Sequence, residues 1–191
     1  MRLAPGSRPD DSAAARQAAS AIKVVLLVGF MGAGKTSVGR ALSGRLGWKF
    51  EDLDDRIRAR EGRSIEDIFR DSGETEFRQA EHAALRELLG EQYEFPRIVA
   101  LGGGAFAQTE NAALIVAAGV PTVFLEAPVE ELYQRCQQEG RERPLHRDAA
   151  SFRALYEQRR ASYAAAKVHI ATLGKKIDAV AAEVACSLGL D

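Results

Sequence analysis

Short apolar runs alternate along the chain with longer segments in which apolar residues recur every three or four positions. The first run, Val24–Val28, contains only valine and leucine, which is typical of a strand buried on both faces of a sheet. Four more runs predict strands at 48–53, 97–101, 122–125 and 168–172. Helical spacing predicts helices at 35–46, 74–89, 111–118, 129–138, 151–166 and 177–188, with two shorter helices between 53 and 74 that are separated at Gly62.

The regular alternation of strands and helices predicts an α/β fold with a five-stranded parallel sheet covered by helices on both faces. Residues 22–191 are long enough for one domain of this kind. Residues 1–21 differ in character, because no apolar side chain larger than alanine follows Leu3. We expect this segment to be a disordered or fraying tail.

Composition limits the classes of function. The chain has 191 residues with 26 Lys and Arg against 27 Asp and Glu, a formal charge of −1, which argues against a nucleic-acid or membrane-surface partner. Two cysteines, Cys136 and Cys186, are too few for a disulfide framework or a four-cysteine zinc site. The uncharged apolar stretch at 24–34 is too short to cross a bilayer. We therefore expect a cytoplasmic protein.

A phosphate-binding motif follows the first strand. The residues Gly29 to Thr36 read GFMGAGKT, which fits G-x-x-x-x-G-K-[ST] between a buried strand and a helix. The glycines allow backbone N–H groups to point at phosphate oxygens, and Lys35 supplies charge at the β- and γ-phosphates. The Thr36 hydroxyl is a candidate Mg²⁺ ligand. The residues expected to bind the nucleotide are Gly32, Ala33, Gly34, Lys35, Thr36 and Ser37.

The acid that usually holds magnesium at the end of a later strand is missing, because the run at 97–101 is followed by three glycines. Asp52 and Asp54 at the end of the second predicted strand are the replacement candidates. Positions i and i+2 of a strand share a face, so both carboxylates can enter one cleft, one for the metal and one for a substrate hydroxyl. Asp55 is expected to cap the next helix. The alternative is that Asp52 and Asp54 are ordinary residues of a helix start.

Six motifs in order resemble those of the shikimate kinases, over residues 24–188. They are Gly29–Lys35, Asp52-x-Asp54, Gly73-Glu74-x-x-Phe77-Arg78-x-x-Glu81, Gly102-Gly103-Gly104, Arg143-Pro144-Leu145 and Arg159-x-x-x-Tyr163. The resemblance implies a three-layer α/β/α P-loop kinase fold with a mobile lid. We also expect a monomer. The resemblance further implies Mg²⁺-dependent transfer of the ATP γ-phosphoryl group to the 3-hydroxyl of shikimate. The products would be 3-phosphoshikimate and ADP, on the route to chorismate and the aromatic amino acids.

The resemblance also implies roles for single residues. Asp54 would hold and deprotonate the attacking hydroxyl, and Asp52 would lie in the outer shell of Mg²⁺. Arg78 and Arg159 would bind the shikimate carboxylate together with the backbone of Gly102, Gly103 and Gly104, since arginine binds a carboxylate in a planar, bidentate way. Glu81, three residues after Arg78 on one helix, can hold its guanidinium. Phe77 fits either the edge of the substrate ring or the core.

The polar, basic segment at about 139–149 resembles a lid, and within it Arg143 is the expected catalytic and nucleotide-binding arginine. A merely solvated surface loop is the alternative. Arg135 would contact the adenine by the same resemblance. His82, His169 and the two cysteines are expected to be structural.

Two other functions remain open from the sequence. A related small-molecule kinase, such as a gluconate kinase, would share the P-loop but is not expected to combine Arg78, the three glycines and Arg159. A non-catalytic ligand sensor of the shikimate-kinase type is usually fused to a DNA-binding domain, for which residues 1–21 are too short. The presence of Lys35, Asp52, Asp54 and Arg143 also argues against a loss of catalysis.

Overall fold

Five parallel strands form the central sheet, in the order β2-β3-β1-β4-β5. The computed structural model describes residues 22–138 and 148–190. The strands are β1 (Val24–Val28), β2 (Lys49–Asp52), β3 (Arg97–Ala100), β4 (Thr122–Glu126) and β5 (Val168–Ala171). The predicted tail at 1–21 and most of the predicted lid, including Arg143, lie outside the described residues.

Seven α-helices occur in the described ranges. They are α1 (Lys35–Leu46), α2 (Leu53–Glu61), α3 (Ile65–Gly90), α4 (Thr109–Ala118), α5 (Val129–Gln138), α6 (Ala149–Tyr163) and α7 (Ile177–Ser187). A 3₁₀ turn at Ala105–Ala107 was not predicted. About half of the element ends coincide with the predicted ones, and the others differ by one to three residues, except that α3 begins at Ile65 instead of at 74. The predicted α/β class with a five-stranded parallel sheet is confirmed.

The central position of β1 explains its unbroken apolar sequence. Its five side chains are all buried, because it lies between two parallel neighbours and helices cover the faces of such a sheet. Leu27, for example, is opposite Ala100 of β3 and Val123 of β4. Within the described residues no helix is both long and apolar enough to span a bilayer.

The strand order determines where a ligand can bind. The chain leaves β1 toward β2 at one edge of the sheet, whereas it leaves the adjacent strand β3 toward β4 on the other side. In open parallel sheets, a crevice forms at the carboxyl ends of two neighbouring strands whose connections depart in opposite directions. The glycine-rich loop after β1 and the three glycines after β3 therefore border the same crevice.

The second strand is shorter than predicted, and this changes the local geometry of the acidic pair. β2 ends at Asp52, whose side chain accepts a hydrogen bond from the backbone N–H of Asp54 and caps α2. Asp54 thus lies in the first turn of a helix, so the expectation of two acids on one strand face is wrong. The expected cap at Asp55 is also wrong, because Asp52 performs that role. Leu53 is fully buried at the start of α2.

Helix α3 is bent where the sequence predicted a boundary. Gly73 has φ 80° and ψ −179° inside Ile65–Gly90, so two helical segments meet there. The first segment begins at Ser64, whose side chain accepts from the N–H of Asp67. The second segment carries Arg78 and Glu81 toward the crevice.

Candidate functional site

Two adjoining cavities occupy the crevice at the carboxyl ends of β1, β2 and β3. The smaller, of about 330 Å³, is lined by P-loop residues that include Gly34, Lys35 and Ser37. The larger, of about 510 Å³, extends to Arg78 and Arg159. Residues that border both cavities include Met31, Thr36, Asp52, Asp54, Arg58, Gly102 and Gly103. A group bound in one cavity can therefore reach a group bound in the other beside the two aspartates.

The P-loop turns tightly between β1 and α1. Gly32 has φ 75°, and a Cβ there would lie 2.5 Å from the Leu132 carbonyl oxygen of α5, so a side chain fits neither the backbone nor the space. Lys35 folds back over its loop and donates to the carbonyl oxygens of Gly29 and Phe30, at 2.8 and 3.0 Å. The first N–H groups of α1 have no side-chain cap at Gly34, which leaves this helix end available to phosphate oxygens.

Thr36 and Asp52 meet beside the P-loop. The Thr36 hydroxyl donates to Oδ2 of Asp52 at 3.0 Å, while Oδ1 of Asp52 accepts from the N–H of Asp54 at 3.1 Å. Mg²⁺ prefers oxygen ligands and is held by one or two carboxylates together with phosphates and waters. This hydroxyl and carboxylate fit such a partial shell. Within the described residues no group of three or more His, Cys, Asp or Glu could hold a metal ion.

Arg78 and Glu81 form an ion pair at the far end of the larger cavity. Nη1 of Arg78 donates to Oε2 of Glu81 at 2.9 Å, and Nη2 donates to Oε1 of Glu74 at 2.9 Å. Burial raises the pKa of Glu81, a rise that Arg78 opposes and Asp54 reinforces. Burial alone would lower the pKa of Arg78, but its two carboxylate partners outweigh burial and raise it. The predicted support of Arg78 by Glu81 is therefore present.

The glycines after β3 have no side chains, and this lets Arg78, Glu81 and Asp54 approach the backbone there closely. A Cβ on Gly104 would lie 2.6 Å from Nη1 of Arg78, closer than any real side chain permits. A Cβ on Gly102 would lie 2.9 Å from Oε1 of Glu81 and 3.0 Å from Oδ1 of Asp54. The glycines thus allow two carboxylates and a guanidinium to converge on one loop.

Arg159 reaches the same loop from α6. Its Nη1 lies 3.3 Å from the Gly103 carbonyl oxygen, which also accepts a short hydrogen bond from the Tyr163 hydroxyl. Arg159 is 9% exposed, and burial lowers its pKa, with Arg78 acting in the same direction. The positive charges of Arg78 and Arg159 repel each other in this partly buried site. An anion bound between the two guanidiniums would stabilise both charges.

The structure brings together Thr36, Asp52, Asp54, Arg78, Arg159 and Gly102 to Gly104, as well as Gly32, Gly34, Lys35 and Ser37 of the P-loop. The predicted Ala33 is buried and lines neither of the two cavities. Arg135 lies behind the P-loop, where it pairs with Glu131 at 3.0 Å and contacts the Gly32 carbonyl oxygen at 3.4 Å. Phe77 packs in the core, which was one of its two predicted alternatives, because it is 6% exposed and packs on Phe69. It also lines the larger cavity, and its contact with the edge of a substrate ring stays a prediction.

Several residues around the cavities were not predicted as site residues. Met31, Ile65 and Phe69 supply apolar walls, and Arg58 borders both cavities while it pairs with Asp55. Helical periodicity contained a signal for Arg58, which follows Asp54 by four residues and so shares its helix face. Gln108, which donates to Oε2 of Glu81, had no signal at all in the sequence.

Several known proteins resemble this chain in sequence and in fold. A sequence model described as "SKI: Shikimate kinase" matches residues 31–188. The shikimate kinase of Geobacter metallireducens is 42% identical over 170 residues, which cover 87% of this chain and 92% of that protein. A solved structure described as shikimate kinase from Acinetobacter baumannii in complex with shikimate superposes with a TM-score of 0.81 at 32% identity, and covers 91% of this chain and 97% of that one.

A gluconokinase from Sinorhizobium meliloti superposes with a TM-score of 0.57 at 19% identity, over 87% of this chain and 91% of that one, which shows a shared fold alone. The comparisons therefore favour the predicted shikimate kinase over the gluconate kinase alternative. The family model and the relatives match most of this chain. The chain therefore belongs to the shikimate kinase family, whose members are phosphotransferases that act on a hydroxyl group.

Proposed function

We propose that this protein transfers the γ-phosphoryl group of ATP to the 3-hydroxyl of shikimate and releases 3-phosphoshikimate and ADP. The observation that carries the proposal is the junction of the two cavities at Asp52 and Asp54. A phosphate-binding loop lines one side of this junction, and two guanidiniums line the other. Such a site suits an anionic acceptor whose hydroxyl faces a nucleotide.

The nucleotide phosphates are assigned to the P-loop. Backbone N–H groups of Gly32, Ala33 and Gly34 and the start of α1 at Thr36 and Ser37 would cradle the phosphate oxygens. Lys35 would exchange its two carbonyl partners for β- and γ-phosphate oxygens, since an ammonium group gains more from an anion than from a neutral acceptor.

Mg²⁺ is assigned to Thr36 and Asp52, whose oxygens already lie 3.0 Å apart. Bound there with the phosphates, the ion would neutralise the charge that develops on the transferred group. Asp52 would act through the outer shell of the ion, because both of its oxygens already accept hydrogen bonds, Oδ2 from the Thr36 hydroxyl and Oδ1 from the N–H of Asp54. This division keeps the carboxylate in a fixed orientation.

Shikimate is assigned to the larger cavity. Arg78 and Arg159 would bind its carboxylate, with backbone N–H groups of Gly102, Gly103 and Gly104 close to the ring. Asp54 would accept the proton of the 3-hydroxyl while that oxygen forms a bond to the γ-phosphorus and the bond from phosphorus to ADP breaks. The apolar side chains of Phe69 and Phe77 would cover the ring.

Arg135 and Arg143 complete the proposal on the nucleotide side. Arg135 contacts the P-loop carbonyl of Gly32, which supports a role near the nucleotide. Arg143, outside the described residues, is assigned by its Arg-Pro-Leu motif to a closing segment that shields the transferred phosphoryl group from water. We also propose a cytoplasmic monomer with no nucleic-acid or membrane partner, since the net charge of −1 leaves no basic excess for a polyanion or an anionic membrane surface.

The test is a coupled ADP-release assay with shikimate, gluconate and no acceptor, each with and without Mg²⁺. We expect turnover only with shikimate and the metal ion. Asp54→Asn should abolish turnover and leave ATP affinity nearly unchanged, because the amide cannot take the proton. Equal turnover with gluconate, or a near-normal rate for Asp54→Asn, would contradict the assignment. Light scattering on a size-exclusion column tests the monomer.

A further inference from the structure

Gln108 lies just outside the larger cavity and contacts the carboxylate that supports Arg78. Its Nε2 donates a short hydrogen bond to Oε2 of Glu81, the same oxygen that accepts from Nη1 of Arg78 at 2.9 Å. Gln108 follows the 3₁₀ turn after the three glycines and precedes α4, so it returns toward α3 across the end of this loop. We propose that Gln108 is a positioning residue that sets the orientation of Arg78 through Glu81.

The chemistry of Glu81 explains why a second donor is needed. The side chain is 1% exposed, and its ionised form is costly to bury without hydrogen bonds. Arg78 alone supplies one donor to Oε2, and among the residues that the structure describes Oε1 finds no hydrogen-bond partner. The amide of Gln108 holds the carboxylate without adding charge, so the negative charge of Glu81 remains available to Arg78. A lysine or arginine in its place would compete with Arg78 for that charge.

A neighbouring pair of hydrogen bonds fixes the segment that carries Gln108. Asn111, which is fully buried, donates from Nδ2 to the Ala105 carbonyl oxygen at 3.1 Å. Its Oδ1 lies 2.8 Å from Nδ1 of His82, the residue that follows Glu81. Gln108 and Asn111 thus contact adjacent residues of α3. The start of α4 is held against α3 at two points, which gives the Gln108 amide a defined position.

The inference rests on the proposed binding of shikimate by Arg78, and the experiment separates the two. Gln108→Leu removes the amide donor and puts an apolar side chain of similar size in its place. We expect kcat/KM for shikimate to fall about tenfold, corresponding to about 1.4 kcal/mol, while KM for ATP stays unchanged. Gln108→Glu places a second carboxylate beside Glu81 and should lower kcat/KM for shikimate further than Gln108→Leu. Gln79→Leu, an exposed glutamine on α3 that borders the same outer surface, is the matched control.

A double-mutant cycle with Arg78→Ala distinguishes positioning from loss of structure. If Gln108 acts through Arg78, then Gln108→Leu costs nothing further in the Arg78→Ala background. Additive losses, equal losses for shikimate and ATP, or an unchanged kcat/KM would overturn the inference. If thermal melting shows that Gln108→Leu does not fold, Gln108→Met takes its place and is judged by the same criteria. An unaltered kcat/KM for Arg78→Ala alone would instead remove the proposed role of Arg78, and the inference with it.

Discussion

Replacing Gly104 with alanine would place a methyl group against the Arg78 guanidinium. A Cβ on Gly104 would lie 2.6 Å from Nη1 of Arg78 and 2.9 Å from Nη2. The backbone accepts alanine, because Gly104 has φ −111° and ψ −14°, which L-residues adopt. The substitution therefore changes the position of one side chain and leaves the folding of the loop intact.

The size of the effect follows from the displacement. An ordinary contact of about 3.5 Å requires Nη1 to retreat by about 0.9 Å. A hydrogen bond of about 2.9 Å to a substrate carboxylate would then lengthen to about 3.8 Å, which is no longer a hydrogen bond. Loss of one hydrogen bond to a charged group costs about 1.5–3 kcal/mol. We therefore expect KM for shikimate to rise about 10- to 150-fold.

Steady-state kinetics with each substrate varied in turn, together with thermal melting, test this prediction. KM for ATP and the melting temperature should stay close to those of the unaltered protein. Gly44→Ala is the matched control, because a Cβ at this exposed position of α1 meets nothing within 4 Å and should change neither KM. An unchanged KM for shikimate, or a parallel rise in KM for ATP, would refute the displacement of Arg78 as the cause.

Three further substitutions test other contacts. Tyr163→Phe keeps the ring stacked on Phe124 but removes the hydrogen bond to the Gly103 carbonyl. We expect the melting temperature to fall by about 2–4 °C. KM for shikimate should rise, because Arg159 shares this carbonyl with Tyr163 and loses that support. An unchanged KM would contradict this role. Asp52→Asn removes a carboxylate, so it should raise the Mg²⁺ concentration needed for half-maximal rate by about tenfold. Asparagine can still cap α2, so the loss of stability should be small, whereas Asp52→Ala should also lose about 1 kcal/mol from the cap. Equal melting temperatures for the two variants would contradict the capping role. Arg143→Ala should lower kcat more than it raises either KM, and an unchanged kcat would reject its assignment to the closing segment.

The sequence was sufficient for the features that depend on local pattern. The buried run of β1, the P-loop after it and the alternation of strands and helices follow from periodicity and from one motif in its required context. The end of β2 was not predictable to the residue, because four residues with mixed polarity fit both a strand and a capped helix start. Asp52 and Asp54 still reach one cleft, by a different local geometry.

Long-range side-chain contacts were beyond the reach of sequence patterns. Tyr163 and Gly103 are separated by 60 residues, and Gln108 and Glu81 by 27 residues. Neither contact has a period, and each depends on how helices pack around the sheet. The roles of Arg78, Arg159 and Asp54 came from motifs shared with a family, and the structure adds the partners that hold the two arginines in place.

The two carboxylates beside Gly102 have a consequence for where a metal-binding acid can be placed in this protein. Many P-loop enzymes carry that acid at the end of the strand next to the P-loop strand, which here is the end of β3. An aspartate introduced at Gly102 would have its Cβ about 3 Å from oxygens of both Glu81 and Asp54. It would add a third negative charge beside the buried Glu81 and the partly buried Asp54. Glu81 and Asp54, which line the larger cavity, thus leave no room for a metal-binding acid at Gly102 after β3. Transplanting the acid there by engineering would require the removal of Glu81, and with it the charge that holds Arg78.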